Sequence, residues 1–386
     1  MGTLKDLNYK NSFAGIISGL LAITGPPALI LQAASNGGFT NTQTIMWVFS
    51  VYTFGGIFSI LAPLYYRMPI VGAHSITGVA FLATVTAQFT YQGLIGAYIL
   101  AGVLMLIVGS LGIFSKLMSF VPKQIIASML AGMIVSYMIN YVTAITRLPL
   151  IGGLSLLVYF VFSRWDKRIP PVIAGILTAI VLFIATETLS VGGFAAPLVF
   201  PSVQVPEFGF LAFFSVSIPL ALVVLSNDAA VGLGALEQND YHPPINRLIT
   251  LSGIFTIIAG FFGGQSTNVA GMMSAICSNQ DAGPKEKRYW AAIVSGIILV
   301  IFGVFSWKLV PFIQGLPQTF TSILLGFALL GVFGNSLNVS FSKTKMKIST
   351  TFAFVIAASN ITFLNISSPI WSLLIGTLIA RGIEKS

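Results

Sequence analysis

Long apolar runs, separated by short polar or glycine- and proline-rich stretches, make up almost the whole chain. A straight helix needs about 20 apolar residues to cross a bilayer, and several of these runs are shorter, so we expect some to be tilted, kinked or partly non-helical. Fourteen runs are long enough to span or partly span a bilayer: 13–34, 45–65, 69–88, 92–114, 121–142, 147–163, 171–187, 212–236, 246–262, 264–279, 288–310, 317–336, 348–364 and 366–383. The pattern predicts an all-α polytopic membrane protein with fourteen transmembrane segments.

The composition and the distribution of charge agree with this interpretation. The 386 residues are 56% hydrophobic and 8% charged, which a soluble protein could not cover with its polar surface. Of the 19 Lys and Arg residues, only Arg147 and Lys308 fall on one side of the fourteen-span topology, and the other seventeen fall on the opposite side. Because basic loops stay in the cytoplasm, we expect both termini there. The net charge of +9 then reflects topology and not a nucleic-acid partner.

The predicted external loop 188–211 divides the chain into two sets of seven spans, residues 1–187 and 212–386. The loop is rich in glycine and proline and contains no Lys or Arg. Since seven is odd, two consecutive seven-span halves must have opposite orientations in the membrane. This is the inverted-repeat architecture of many secondary transporters.

Two segments at matching positions in the halves are interrupted by polar residues. The sequence Gly72-Ala-His-Ser-Ile-Thr-Gly78 opens the third span, and Gly264-Gln-Ser-Thr-Asn-Val-Ala-Gly271 opens the tenth. We expect a short extended piece at 69–73, an N-cap at Ser75, and a cap in the tenth span at Ser266, Thr267 or Asn268. A half-helix that begins inside the membrane offers unpaired N–H groups to an anion. The alternative is that these polar residues only bond neighbouring helices.

Asp228 is an acid inside the apolar stretch 222–236. An ionisable residue at bilayer depth is a functional candidate, because it must face a cavity, find a partner or hold its proton. Apolar surroundings disfavour the charged form, so we predict that Asp228 exchanges a proton near neutral pH; the alternative is a structural acid. His74 either contacts substrate or relays protons, or it only packs. Gln32 either hydrogen-bonds substrate or repairs the kink that follows Pro26.

The sequence gives no sign of an enzyme, a metal site or a cofactor. The single cysteine, Cys277, excludes an internal disulfide and a cysteine-based metal cluster. We find no paired carboxylates, no cluster of His, Cys and Asp with metal-ligand spacing, and no nucleophile with a base. We therefore expect neither catalysis nor a bound cofactor.

Three stretches of the sequence resemble one known family. They are Gly19-Leu-Leu-Ala-Ile-Thr-Gly-Pro-Pro-Ala-Leu-Ile-Leu-Gln-Ala-Ala34, the stretch 227–234, and Gly263-Gly-Gln-Ser-Thr-Asn-Val-Ala270. They are similar to the BenE-type benzoate:proton symporters, and the resemblance extends over nearly the whole chain.

The resemblance implies the fold of the uracil permease (UraA) type in the APC superfamily. It implies a core domain formed by spans 1–4 and 8–11, a gate domain formed by spans 5–7 and 12–14, and short strands in spans 3 and 10. It also implies a place in the bacterial cytoplasmic (inner) membrane. Dimers are common in that superfamily, so a homodimer is among the expected assemblies.

The sequence differs from the uracil-type carriers at the start of span 10. Those carriers have an acid in span 8 and another at the start of span 10. Here Asp228 fills the first role, but span 10 has only Gln265, Ser266, Thr267 and Asn268. A second buried carboxylate would repel an anion, whereas hydroxyls, amides and backbone N–H groups attract one. The difference therefore favours an anionic ligand over a nucleobase.

Our hypothesis from sequence is proton-coupled uptake of benzoate or a similar aromatic carboxylate by alternating access. Asp228 takes the proton, with His74 as a second candidate for coupling, and the aromatic ring lies near residues 24–27. The predicted substrate-binding residues are Thr24, Gly25, Pro26, Gln32, Ala73, His74, Ser75, Asn227, Gln265, Ser266, Thr267 and Asn268. The alternatives are a proton-coupled carrier of a nucleobase-like or other small anionic substrate, or an anion channel.

Overall fold

A computed structural model describes residues 4–114, 116, 122–165, 169–186, 198–363 and 366–384 of the chain. Most of these residues are helical. The predicted linker 188–211 lies in part outside the described residues, which resume at 198.

Sixteen helices of the described residues are labelled in chain order. In the first half they are α1 (Tyr9–Thr24), α2 (Pro26–Asn36), α3 (Asn41–Tyr66), α4 (Ile76–Val85), α5 (Tyr91–Ser110), α6 (Lys123–Arg147), α7 (Pro149–Trp165) and α8 (Pro171–Thr186). In the second half they are α9 (Phe210–Gln238), α10 (Ile245–Phe261), α11 (Gly271–Ser278), α12 (Tyr289–Val304), α13 (Ser306–Gln314), α14 (Gln318–Ser340), α15 (Lys347–Ala358) and α16 (Ser368–Gly382).

Seven helical runs in the described part of the chain are long and apolar enough to cross a membrane. They are Tyr9–Asn36, Asn41–Tyr66, Tyr91–Ser110, Lys123–Arg147, Phe210–Gln238, Lys285–Val304 and Gln318–Ser340. Shorter apolar helices occupy Ile76–Gln88, Pro149–Arg164, Pro171–Thr186 and Ile245–Phe261. The chain is therefore a multi-pass, mainly helical membrane protein, and the count of fourteen spans stays a prediction.

Two short strands meet in the interior and form an antiparallel pair. β1 (Gly72–Ala73) precedes α4, and β2 (Asn268–Val269) precedes α11. Gly72 pairs with Val269, and Ala73 pairs with Asn268. The amide of Ala270 extends the pairing by donating to the Val71 carbonyl at 2.8 Å. Extended backbone inside a membrane protein needs such partners, because lipid supplies none. A second pair, β3 (Thr362–Phe363) with β4 (Ile366–Ser367), lies before α16.

The first apolar run is broken between α1 and α2 at Gly25-Pro26. Pro26 has no N–H, so the carbonyl of Ala22, four residues earlier, loses its helical partner. The hydroxyl of Tyr52 donates to this carbonyl at 2.7 Å. The break is thus repaired from α3, and the chain changes direction without an unpaired carbonyl at Ala22.

Helix α9 contains two wide π-helical stretches, Phe213–Ser217 and Val224–Ala229. The first ends two residues before Pro219, which cannot donate to the carbonyl four residues earlier and clashes with it in a regular α-helix. The second contains Asp228. A π-helical turn changes the directions of the side chains that follow it, and such turns are frequent at functional sites.

We predict that replacing Tyr52 with Phe lowers the stability of the protein. The ring keeps its packing, but the Ala22 carbonyl is left unpaired in the interior, which costs about 1–3 kcal/mol. Thermal unfolding in detergent measures the change. Tyr65→Phe is the control, because Tyr65 is 75% exposed. Equal unfolding temperatures for wild type and Tyr52→Phe would contradict this explanation of the break.

Candidate functional site

A cavity of about 360 Å³ opens beside the β1–β2 pair. Its walls come from the α1–α2 break, the starts of α4 and α11, the second π-helical stretch of α9, and one side each of α8 and α14. Most of the lining is aliphatic. The polar lining residues are His74, Thr77, Asn227, Asp228, Asn335 and Ser336, and no Lys or Arg is among the described residues that line it. An apolar cavity with a few convergent polar groups is typical of a small-molecule site.

Asp228 is the only acid among the described residues of this lining, and two hydroxyls hold it. Ser75 donates to its Oδ2 at 2.5 Å and Thr77 donates to the same oxygen at 3.0 Å. Ser75 is also the N-cap of α4, as predicted, because its Oγ accepts the amide of Gly78 at 2.8 Å. Asp228 therefore lies at the N-terminal end of a half-helix, beside its capping residue. Oδ2 of Asp228 accepts both hydroxyl hydrogens, and Oδ1 is left to bind and release a proton.

Gln265 and Ser266 lie behind Ser75 and not in the cavity lining. Both are fully buried. Ser266 Oγ accepts the amide of Ser75 at 3.0 Å, and Gln265 Nε2 donates to the Ser75 carbonyl at 3.4 Å. Trp47 donates its indole N–H to Gln265 Oε1 at 2.5 Å and so orients the amide. These two predicted substrate ligands therefore position the residue that holds Asp228.

The predicted cap of the tenth-span helix is wrong by at least two residues. Thr267 is bonded through its backbone to the Thr256 hydroxyl, and Asn268 belongs to β2. Because the strand pairing continues through Val269, α11 begins only at Gly271, with Ala270 as its N-cap. No side chain in the described part of the chain caps this end. Its first residues, Gly271 to Met273, line the cavity.

His74 lines the cavity and is only 5% exposed. Neither ring nitrogen has a hydrogen-bond partner among the described residues. Its ring packs edge-on against Tyr52, with centroids 4.9 Å apart. A buried imidazole without a partner is free to bond a ligand in the cavity.

Of the other predicted residues, three line the cavity and three do not. Pro26, Ala73 and Asn227 line the cavity. Thr24 donates to the Leu20 carbonyl at 2.8 Å inside α1. Gly25 presses against α14, where an added Cβ would lie 2.6 Å from the Ala328 Cβ.

Gln32 lies elsewhere, in a second cavity beyond the break, where it donates to Asn36 Oδ1 at 2.9 Å.

Sequence reasoning missed three polar residues of the lining: Thr77, Asn335 and Ser336. Thr77 lies two residues after the predicted N-cap Ser75, in the first turn of α4. The predicted cap could therefore have identified Thr77 as a residue near the site. Asn335 and Ser336 are a polar pair inside the apolar run of α14. The argument applied to Asp228 also applies to them, since polar residues at bilayer depth face protein or a cavity.

The sequence matches one protein family over nearly its whole length. The family model described as benzoate membrane transport protein matches residues 5–381. The inner membrane protein YdcO of Escherichia coli K12 is 30% identical over 364 residues, covering 94% of this chain and 93% of that protein. The benzoate membrane transport protein of Acinetobacter baylyi is 28% identical over 382 residues, covering 97% and 96%.

Solved structures with a similar fold are also transporters. The transmembrane domain of the cyanobacterial bicarbonate transporter BicA superposes with a TM-score of 0.59 at 14% identity, covering 97% of this chain and 98% of that one. The murine anion transporter Slc26a9 in its inward-facing state superposes with a TM-score of 0.63 at 12% identity, covering 98% and 68%. At these identities the similarity establishes the fold alone.

A double-mutant cycle in thermal or chemical unfolding tests the bond between Ser75 and Asp228. Ser75→Ala and Asp228→Ala remove its two ends, and we predict that their effects are non-additive by about 1 kcal/mol or more. Thr90→Ala is the matched control, since Thr90 caps α5 in the same way but is exposed. Its effect should add to that of Asp228→Ala within about 0.5 kcal/mol. Additivity of the Ser75 pair would contradict the geometry.

Proposed function

The chain belongs to the benzoate membrane transport family, and from this premise we propose that it carries benzoate or a similar aromatic carboxylate across the membrane together with a proton. The observation that carries the proposal is the environment of Asp228. It is the single acid among the described lining residues of a mostly aliphatic cavity, it is held by two hydroxyls, and no Lys or Arg is among those residues.

The aliphatic walls of the cavity suit the aromatic ring. Residues of α1, α8, α9 and α14 supply them, among them Leu21, Ile176, Val231 and Val332. Burial of apolar surface gives about 25 cal/mol per Å², so the ring supplies affinity without any polar contact. The same walls disfavour a small inorganic anion, which would lose its water and gain no apolar contact.

The carboxylate of the substrate binds at the start of α11. The first amides of this helix, from Gly271 to Met273, belong to cavity-lining residues, and no described side chain caps them. The equivalent end of α4 differs, because Ser75 caps it and Asp228 lies beside it. The two half-helices thus have different roles: α4 stabilises the carboxyl group of Asp228, and α11 binds the carboxylate of the substrate.

Asp228 must be protonated when the anion is bound. Two unit charges about 5 Å apart repel by roughly 3 kcal/mol at an effective dielectric constant of about 20, or about two powers of ten in affinity. Since Oδ2 already accepts two hydroxyl hydrogens, the proton goes to Oδ1. The protein therefore moves a neutral pair, a proton and an anion, and avoids carrying net charge through the membrane.

A cavity that lies between two groups of helices supports a mechanism of alternating access. We propose that spans 1–4 and 8–11 form the core and spans 5–7 and 12–14 the gate. The core supplies the broken helices, and the gate supplies α8 and α14. Gly25 of the core packs directly on Ala328 of the gate, which closes one side. The two groups rock against each other around the fixed site.

The packing of the helices supports fourteen spans in two inverted repeats, residues 1–187 and 212–386 around the linker 188–211. The spans are α1 with α2, α3, β1 with α4, α5 to α8, α9, α10, β2 with α11, α12, and α14 to α16. Helix α3 packs on α12, and α5 packs on α10. In the two repeats α3 corresponds to α10, and α5 corresponds to α12, so the two contacts are equivalent. The contact of α7 with α8 corresponds in the same way to the contact of α15 with α16. The distribution of Lys and Arg supports cytoplasmic termini.

Transport by Asp228→Asn tests the proton coupling. The amide imitates the protonated acid, so we predict that exchange of radiolabelled benzoate between the two sides of proteoliposomes persists. Net uptake driven by an imposed pH gradient should fall at least about tenfold, since no proton is bound or released. Asp281→Asn is the control, because Asp281 is exposed and lies outside the cavity.

All rates are corrected for protein-free liposomes, through which benzoic acid permeates on its own. If Asp228→Asn responds to the pH gradient as wild type does, Asp228 is not the coupling residue. Excess uracil or bicarbonate added outside should not reduce benzoate uptake, and competition by either one would favour the corresponding alternative substrate.

Substitution of Met272 tests the anion site. Met272→Pro removes one amide N–H from the first turn of α11, where proline is tolerated. Met272→Ala removes only the side chain. A hydrogen bond to a charged group is worth about 1.5–3 kcal/mol, so the proline variant should raise the KM for benzoate about tenfold over the alanine variant. Equal KM values for the two variants would contradict binding by these amides.

A further inference from the structure

A second cavity of about 340 Å³ lies beyond the α1–α2 break, at the end of the fold where α2 ends and α14 begins. It is lined by Gln32, Asn36, Ala83, Thr84, Ser136, Tyr137, Asn140, Gln318, Ser322, Leu325 and Asn360. The cavity around Asp228 does not share any of these residues.

The chemistry of this second cavity differs from that of the first. Among its described lining residues, five carry carboxamides and four carry hydroxyls, while only Ala83 and Leu325 are aliphatic. None of its described lining residues is charged. Asn36 is oriented by donating to the Ala83 carbonyl at 2.8 Å, and its Oδ1 accepts from Gln32. The cavity therefore offers many hydrogen-bond donors that stay uncharged near neutral pH.

The two cavities lie along the same face of α14. On α14, residues 318, 322 and 325 line the second cavity and residues 328, 332 and 335 line the first. These positions form one stripe of the helix, because they recur every three or four residues. On α4, Thr84 and Thr77 likewise face the two cavities. What separates the cavities along α14 is the contact of Gly25 with Ala328.

We propose that the amide-lined cavity is a second binding site for the same aromatic carboxylate, occupied on one side of the closed Gly25–Ala328 contact. The inference rests on the proposed function, since it takes its ligand from there. The site binds the ionised carboxylate: a benzoate ion is deprotonated at neutral pH, and neutral amide and hydroxyl donors replace the water around its charge. Tyr137 and Leu325 lie in the same lining and supply a face for the ring.

The two sites then differ in their response to pH. The second cavity has no acid among its described lining residues, so its affinity for the anion is constant between about pH 6 and 8. The first cavity binds the anion together with a proton on Asp228, so its affinity falls as the pH rises. His74 is the other titratable group among its described lining residues, and Asp228→Asn separates the two contributions. The substrate thus enters as an anion and meets its proton only at Asp228.

Equilibrium dialysis of radiolabelled benzoate against the purified full-length protein tests this inference. Wild type should bind two benzoates per chain, one in a pH-dependent and one in a pH-independent manner. The double variant Asn140→Leu with Gln318→Leu should lose the pH-independent benzoate and keep the other. Both side chains are exposed at the cavity rim, so their loss leaves the helix packing intact. The retained pH-dependent binding shows that the variant is folded.

Gln92→Leu is the matched control, since Gln92 is an exposed amide that lines neither cavity. It should leave both benzoates bound. A single, pH-dependent benzoate in wild type would overturn the inference and leave the proposed function standing, and so would two benzoates in the double variant. If wild type binds benzoate only in a pH-independent manner, and Asp228→Asn does not change this binding, the proposed function would be overturned instead.

Discussion

The antiparallel pairing of Gly72–Ala73 with Asn268–Val269 is the constraint on which the rest of the site depends. Non-helical backbone is costly inside a membrane protein unless each N–H and carbonyl has a partner. Here the two interrupted segments, one from each half of the chain, satisfy each other. Because both strands end in the interior, α4 and α11 both begin there, and two positive helix ends lie beside the same cavity. A continuous helix at either position would remove one of them.

The two helix ends have different occupants, and this difference gives the cavity its chemistry. Ser75, Thr77 and the start of α4 hold Asp228, so the protein's own acid is matched to one end. The start of α11 has no capping side chain in the described residues and remains for a ligand. A second acid in the cavity would compete with an anion for that end. Its place in the sequence is taken by Gln265 and Ser266, which lie behind Ser75 and hold it.

The sequence predicts the broken segments better than it predicts which of their residues face the cavity. Asp228 stands out because a single acid in an apolar run has few explanations, and Ser75 has the position of an N-cap before a helical pattern. In 265–268, by contrast, four polar residues follow one another. Their orientation depends on the register of a two-residue strand pair, and a shift by one residue would turn each side chain to the other face. That register is set by tertiary contacts, which the local pattern does not contain.

Gln32 and Asn335 illustrate the same limit over longer distances. Gln32 lies less than two helical turns after the Pro26 break, but the change of direction at Gly25 carries it into the second cavity. Asn335 belongs to α14, more than a hundred residues after Asp228, and only the packing of α14 against the broken helices brings both to one cavity. Local patterns identify polar residues in apolar segments, whereas the assignment of each one to a cavity needs the packing of the whole fold.

The central claim is that one proton joins the carboxylate in the cavity, and calorimetry tests it without a membrane. Titration of the purified protein with benzoate in buffers of different ionisation enthalpy gives the number of protons taken up on binding. At a pH where free Asp228 is ionised, the account predicts net proton uptake by wild type and none by Asp228→Asn. Benzoate binding to wild type without proton uptake, or equal uptake by wild type and the variant, would contradict it.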